Sequence, residues 1–151
     1  MYDITKEGHH IPMIGEPTKR QEYGVEGIRE ASDAADFIRS LFDIGKLQQE
    51  TFIVLALDGA NKPIRTCAVT DGLLDTNMVH PREVFAPVLV ARAGSIIVAH
   101  NHPSGTLEPS PEDIALTKRL VECGKLLGIR VLDHLILTAE GFISLKERGA
   151  M

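Results

Sequence analysis

The sequence predicts an α/β protein: one mixed central sheet covered by helices. Two observations carry the prediction. Segments with helical apolar spacing alternate along the chain with β-branched apolar runs of strand length. The 151 residues, 44% of them hydrophobic, suffice for one domain with one continuous core. No internal repeat interrupts that reading.

Residues 1–27 are polar, contain Gly and Pro, and keep neither a helical nor a strand period, so they are expected to form an arm ahead of a folded domain spanning 28–151. Ser32 is the expected N-cap of a first helix. Its buried stripe would be Ala35, Phe37, Ile38, Leu41 and Phe42, and Gly45 its stop. Two strands follow, over 51–57 (TFIVLAL) and 64–69, joined by the turn-prone DGANKP into a hairpin.

Pro81 suits the first position of a second helix, with Val84, Phe85, Val88 and Leu89 as its apolar stripe and Gly94 as its end. SIIVA, residues 95–99, reads as a buried strand, and the chain through Pro109 as a loop. A third helix is expected from Pro111 to Leu127, closed by Gly128. A strand over 129–138, a turn at 139–141 and a short strand over 142–145 complete the chain.

A formal charge of −5 and a pI near 5.6 argue against the broad basic face that phosphate-backbone binding requires. Cys67 and Cys123 lie far apart and outside any C-x-x-C, so both are expected to be reduced thiols, which points to the cytoplasm. No basic-then-apolar N-terminal stretch resembles a secretory signal, and no apolar run reaches the roughly 20 residues of a membrane span, so no membrane partner is expected.

The chemistry gathers after the SIIVA strand. In extended backbone the side chains of His100 and His102 lie on one face and can address one ion, whereas helical backbone would set them nearly opposite. Ser110-Pro111-Glu112-Asp113 then brings a carboxylate into the first turn of the third helix. Taken alone, Ser-x-x-Asp is an ordinary capping box. Together with the two imidazoles it completes three protein ligands, and a tetrahedral zinc ion held by three ligands keeps one open position, the pattern of a catalytic site.

The run HNHPSGTLEPSPEDIALTKRL resembles the H-x-H-x(7)-S-x-x-D signature of JAMM (MPN-plus) metalloproteases. The flanking His80-Pro81-Arg82-Glu83, the HNHPSG and PSPED runs, and Leu127-Gly128-Ile129 leading to Leu132-Asp133-His134 resemble the RadC-like branch of that superfamily over about residues 28–148. The resemblance implies a three-layer α/β/α, cytidine-deaminase-like JAB/MPN fold. It implies zinc held by His100, His102 and Asp113, and a hydrolase of peptide or isopeptide bonds. It also implies a glutamate on an earlier strand as general base, a place matched by Glu50, and an oxyanion-stabilising serine, matched by Ser110.

Glu83 and Glu112 are rivals of Glu50 by type, but both fall on expected helix surfaces. Asp133-His134 reads as a buried, hydrogen-bonded polar pair beside the site, His80 as a turn-shaping residue, and His9-His10 as adventitious. Long RadC-like proteins carry an N-terminal helix-hairpin-helix region, where this sequence has a short polar leader. The H-x-E with P-C-x-x-C of nucleobase deaminases does not occur. Two alternatives to the hydrolase stand: a non-catalytic protein-interaction module of the same fold, and a DNA-repair-associated factor as the family name suggests. A homodimer through a sheet edge is a further expectation.

Overall fold

A computed structural model of the protein describes residues 2–4, 10–12, 20–70 and 79–151. The expected hairpin comprises β3 (Phe52–Leu57) and β4 (Pro63–Thr70), preceded in the chain by the short strands β1 (Tyr2–Ile4) and β2 (His10–Pro12). With β5 (Ser95–Asn101), β6 (Arg130–Leu137) and β7 (Phe142–Ser144) they form one sheet in the order β2-β1-β4-β3-β5-β6-β7. Among the described residues only β5 and β6 pair in parallel, so the sheet is mixed.

β3 and β5 are buried at every position, which is why both read as unbroken apolar runs. Their residues divide by period two between two cores. Ile53, Leu55, Leu57, Ile97 and Ala99 meet Ala34, Ala35, Phe37 and Ile38 of α1 (Ala31–Leu41). Phe52, Val54, Ala56, Ile96 and Val98 meet Val84, Phe85 and Val88 of α2 (Pro81–Val90) and Leu116 and Leu120 of α3 (Pro111–Leu127). The architecture is thus three-layered α/β/α, as expected.

Several local expectations are corrected. Helix α1 is capped at Glu30 rather than Ser32, because the Asp33 carboxylate reaches back to accept the Arg29 and Glu30 N–H groups and starts the helix earlier. It ends at Leu41, where Phe42 turns extended, ahead of Gly45. Leu89 is 49% exposed and lies outside the apolar stripe of α2. The segment read as an arm contributes β1 and β2, which extend the sheet beyond β4.

Other details agree with the sequence. Asn61 takes the left-handed backbone that the hairpin turn needs, at φ 57. His80 shapes the start of α2, its ring accepting the Arg82 N–H at 3.2 Å. Ser110 caps α3, and Gly128 closes it in left-handed backbone at φ 72. Cys67 and Cys123 are not joined in a disulfide. Among the described residues no helix is long and apolar enough to cross a membrane. His9 and residues 71–78 lie outside the described residues.

Candidate metal centre

β5 runs two residues beyond its apolar stretch, through His100 and Asn101, so the backbone is still extended where the first imidazole arises. His102 lies just past the strand, but its N–H donates to the Leu137 carbonyl at 2.9 Å and prolongs the alignment with β6. The period-two alternation that sends Ile96 and Val98 toward α2 and α3 therefore sends His100 and His102 the same way. Asp113, in the first turn of α3, faces them.

The three side chains converge. His100 Nε2 lies 2.9 Å from His102 Nε2 and 3.4 Å from Asp113 Oδ1, and His102 Nε2 lies 3.7 Å from Asp113 Oδ2. Ligands about 2.0–2.1 Å from a tetrahedral ion stand roughly 3.3 Å apart, so these separations suit a metal of that size. His100 and Asp113 are closed off from solvent, while His102 is 9% exposed, which sets the mouth of the site on the His102 side.

Both rings have their other nitrogen occupied, as metal-bound histidines do. His102 Nδ1 donates to the Thr106 carbonyl at 2.8 Å, and His100 Nδ1 meets the Nε2 of His134 at 2.8 Å. Asp113 serves both readings of Ser-x-x-Asp. Its Oδ2 accepts the Ser110 N–H at 2.8 Å and its N–H donates to Ser110 Oγ at 3.1 Å, a complete capping box that also aims the carboxylate at the imidazoles.

Charge follows geometry. Burial would raise the Asp113 carboxyl, but the adjoining His100 and His102 rings and the Ser110 N–H outweigh it and hold the group below the usual carboxylate range. The Asp113 carboxylate raises the pKa of the His102 ring. Burial works against that rise, and the Thr106 carbonyl and the charge of Glu50 add to it.

Glu50 is half-buried just ahead of β3. The antiparallel ladder ends with Phe52 opposite His100, and Glu50 lies two residues ahead of that pair. Asn101 fixes that segment: its Oδ1 accepts the Thr51 N–H at 2.6 Å and its Nδ2 donates to the Gln49 carbonyl at 3.0 Å. Glu83 and Glu112 are exposed on α2 and α3. His134 is fully buried beside His100, and Asp133 turns to the Ser144 hydroxyl at 2.6 Å.

Two participants were not singled out from the sequence. Thr117 stands one helical turn after Asp113 on the same face of α3, a relation the i, i+4 spacing would have shown. Asn101, an amide in a fully buried strand, must find partners, and that requirement was its signal.

The matching family model is the RadC-like JAB domain, over residues 28–150. The chain belongs to the RadC-like JAB domain family. Curated relatives agree with that assignment. A UPF0758 protein of Bacillus cereus is 47% identical over 137 residues, covering 90% of this chain and 60% of the relative. One from Bacillus mycoides is 46% identical over 137 residues, with the same coverage. One from Syntrophotalea carbinolica is 47% identical over 104 residues, covering 69% of this chain and 46% of the relative. The RadC-like JAB domain described here thus spans about 60% or less of the length of these relatives. Its His100, His102 and Asp113 form a group that could hold a metal ion.

Proposed function

We propose that the chain is a zinc-dependent hydrolase of the JAMM type, cleaving a peptide or isopeptide bond of a protein substrate. One observation carries this reading: two imidazole Nε2 atoms and a carboxylate converge while the opposite ring nitrogens are engaged elsewhere. Two histidines and one carboxylate are a donor set that zinc takes with a fourth position left open. When bound, zinc supplies Lewis acidity that polarises a carbonyl and makes water nucleophilic at neutral pH.

The chain's own residues supply the rest. Glu50, whose charge is felt at His102, takes a proton from the attacking water and returns it to the departing amine as the C–N bond breaks, giving a carboxylic acid and an amine. Ser110 uses its oxygen lone pair to accept the Asp113 N–H, which leaves its O–H to donate to the carbonyl oxygen as that oxygen gains charge. Thr106, whose carbonyl orients His102, lies in an exposed loop beside the mouth. Two cysteines outside any disulfide suit a cytoplasmic setting.

The test is turnover of a panel of peptide and isopeptide-linked substrates by zinc-loaded chain and by Glu50→Gln. Loss of a proton shuttle costs about 10²–10⁴-fold in rate. Activity falling by that much with zinc content unchanged is expected, and equal activity in the two proteins contradicts the proposal.

A further inference from the structure

Directions of hydrogen bonds around His134 can be fixed one after another, starting from a group that can only accept. Thr117 Oγ1 lies 2.7 Å from the Asp113 backbone carbonyl and 2.6 Å from His134 Nδ1. A carbonyl carries no proton, so the hydroxyl proton occupies the first of these contacts. Thr117 has no second proton to give, so the second contact is filled by a proton on His134 Nδ1.

His134 is fully buried, and no carboxylate contacts its ring in these hydrogen bonds. A ring closed off from water and facing a hydroxyl and an imidazole carries a single proton, because a second would bury an uncompensated charge. With Nδ1 protonated and the ring neutral, Nε2 is a bare acceptor. The 2.8 Å contact to His100 Nδ1 is then filled by the His100 proton, and His100 Nε2 is left with its lone pair facing His102 and Asp113.

The sequence builds this deliberately. Val131 packs on the α3 side of the sheet, and unbroken alternation would send residue 134 to the other side. The register of β6 against β5 slips by one between Val131 and Asp133, with Leu132 as the extra residue. That slip returns His134 to the α3 side.

We propose that Thr117 and His134 form a one-way hydrogen-bond relay, anchored on the Asp113 carbonyl, that locks His100 in the tautomer with a bare Nε2. The proposal rests on the metal reading of His100, His102 and Asp113. Its consequence is a closed loop: Asp113 presents its carboxylate to the ion and, through its own carbonyl, Thr117 and His134, prepares the imidazole beside it. Thr117 and His134 are positioning residues, and neither reaches the ion.

The test reads zinc affinity by chelator competition and ring-nitrogen protonation by ¹⁵N NMR of labelled histidines, on the full chain. Removing an outer partner of a metal-bound histidine lowers affinity about 10–100-fold. His134→Leu and Thr117→Val should each weaken zinc binding within that range, Thr117→Ser should retain it, and the wild-type spectrum should show the His134 proton on Nδ1 and the His100 proton on Nδ1. A His134 proton found on Nε2, or wild-type zinc affinity in a folded Thr117→Val chain, overturns the relay. Should His134→Leu fail to fold, the near-isosteric Thr117→Val and the wild-type spectrum decide. A wild type that binds no zinc defeats the metal reading, while the tautomer of the metal-free chain still decides the relay.

Discussion

Asn101 holds the backbone on both sides of Glu50. Its amide oxygen takes the Thr51 N–H and its amide nitrogen gives to the Gln49 carbonyl, so the residue between the two imidazoles ties down the backbone that carries Glu50. Asn101→Leu removes both bonds and leaves the Thr51 N–H without its partner. Leaving a buried polar group unpaired costs about 1–3 kcal/mol. The expected variant melts earlier by that amount in urea, keeps its zinc, and loses turnover. Loss of zinc in a folded Asn101→Leu chain would show that Asn101 supports the ligands rather than Glu50.

Asp113→Asn separates the two tasks of that residue. The amide oxygen still accepts the Ser110 N–H, so the helix start survives, whereas the anionic ligand does not. Helix content by circular dichroism should stay at the wild-type level while zinc retention after dialysis falls to background. Retained zinc would contradict the assignment of Asp113.

The metal-free chain should show opposite pH trends in stability and in zinc affinity. Because the His102 pKa is raised, chiefly by Asp113, its pairing stabilises the fold fully below the ordinary imidazole value of about 6.5 and is lost as pH climbs through the raised value. Asp113, held low, contributes above about 3.9 and loses that contribution only as pH falls through its depressed value. Zinc needs the bare His102 nitrogen, so its affinity rises as the proton leaves, approaching tenfold per pH unit below the His102 pKa. Calorimetric melting with chelator and zinc competition titrations between about pH 6 and pH 8 check both trends. A zinc affinity flat over that interval contradicts them.

Gly124→Ala should destabilise, against helix propensity. In an open helix interior the change gains about 1 kcal/mol. Here the added Cβ would stand 2.3 Å from the Ile129 carbonyl oxygen, so α3 or the turn into β6 must move. Chemical denaturation measures the sign, and a stabilised variant would contradict the close packing.

The three layers were legible because each of their signals is local and long enough to repeat. The apolar run of β3, the Pro111-to-Leu127 helix with its Ser110 cap and Gly128 stop, and the two-residue spacing of His100 and His102 all declare themselves within one segment. The strands β1 and β2 did not. Three residues cannot establish a period, and their pairing depends on the free edge of β4. The side-chain length of Asp33 moved the α1 cap to Glu30, a choice Ser32 alone conceals.

At the site, residue types were readable and their connections were not. His134 was readable as a buried polar group, but its contact with His100 depends on the register slip at Leu132, a tertiary event with no local signature. Glu50 lies ahead of the β3–β5 ladder, where no strand period marks it. The family resemblance alone singled it out.

Elemental analysis after zinc supply and dialysis tests most directly the proposed zinc site of His100, His102 and Asp113. About one zinc per chain is expected in the wild type and none in a folded His100→Ala/His102→Ala variant, as a three-ligand site requires. No bound zinc in the folded wild type, stoichiometric iron in its place, or zinc retained by the double variant would contradict the account.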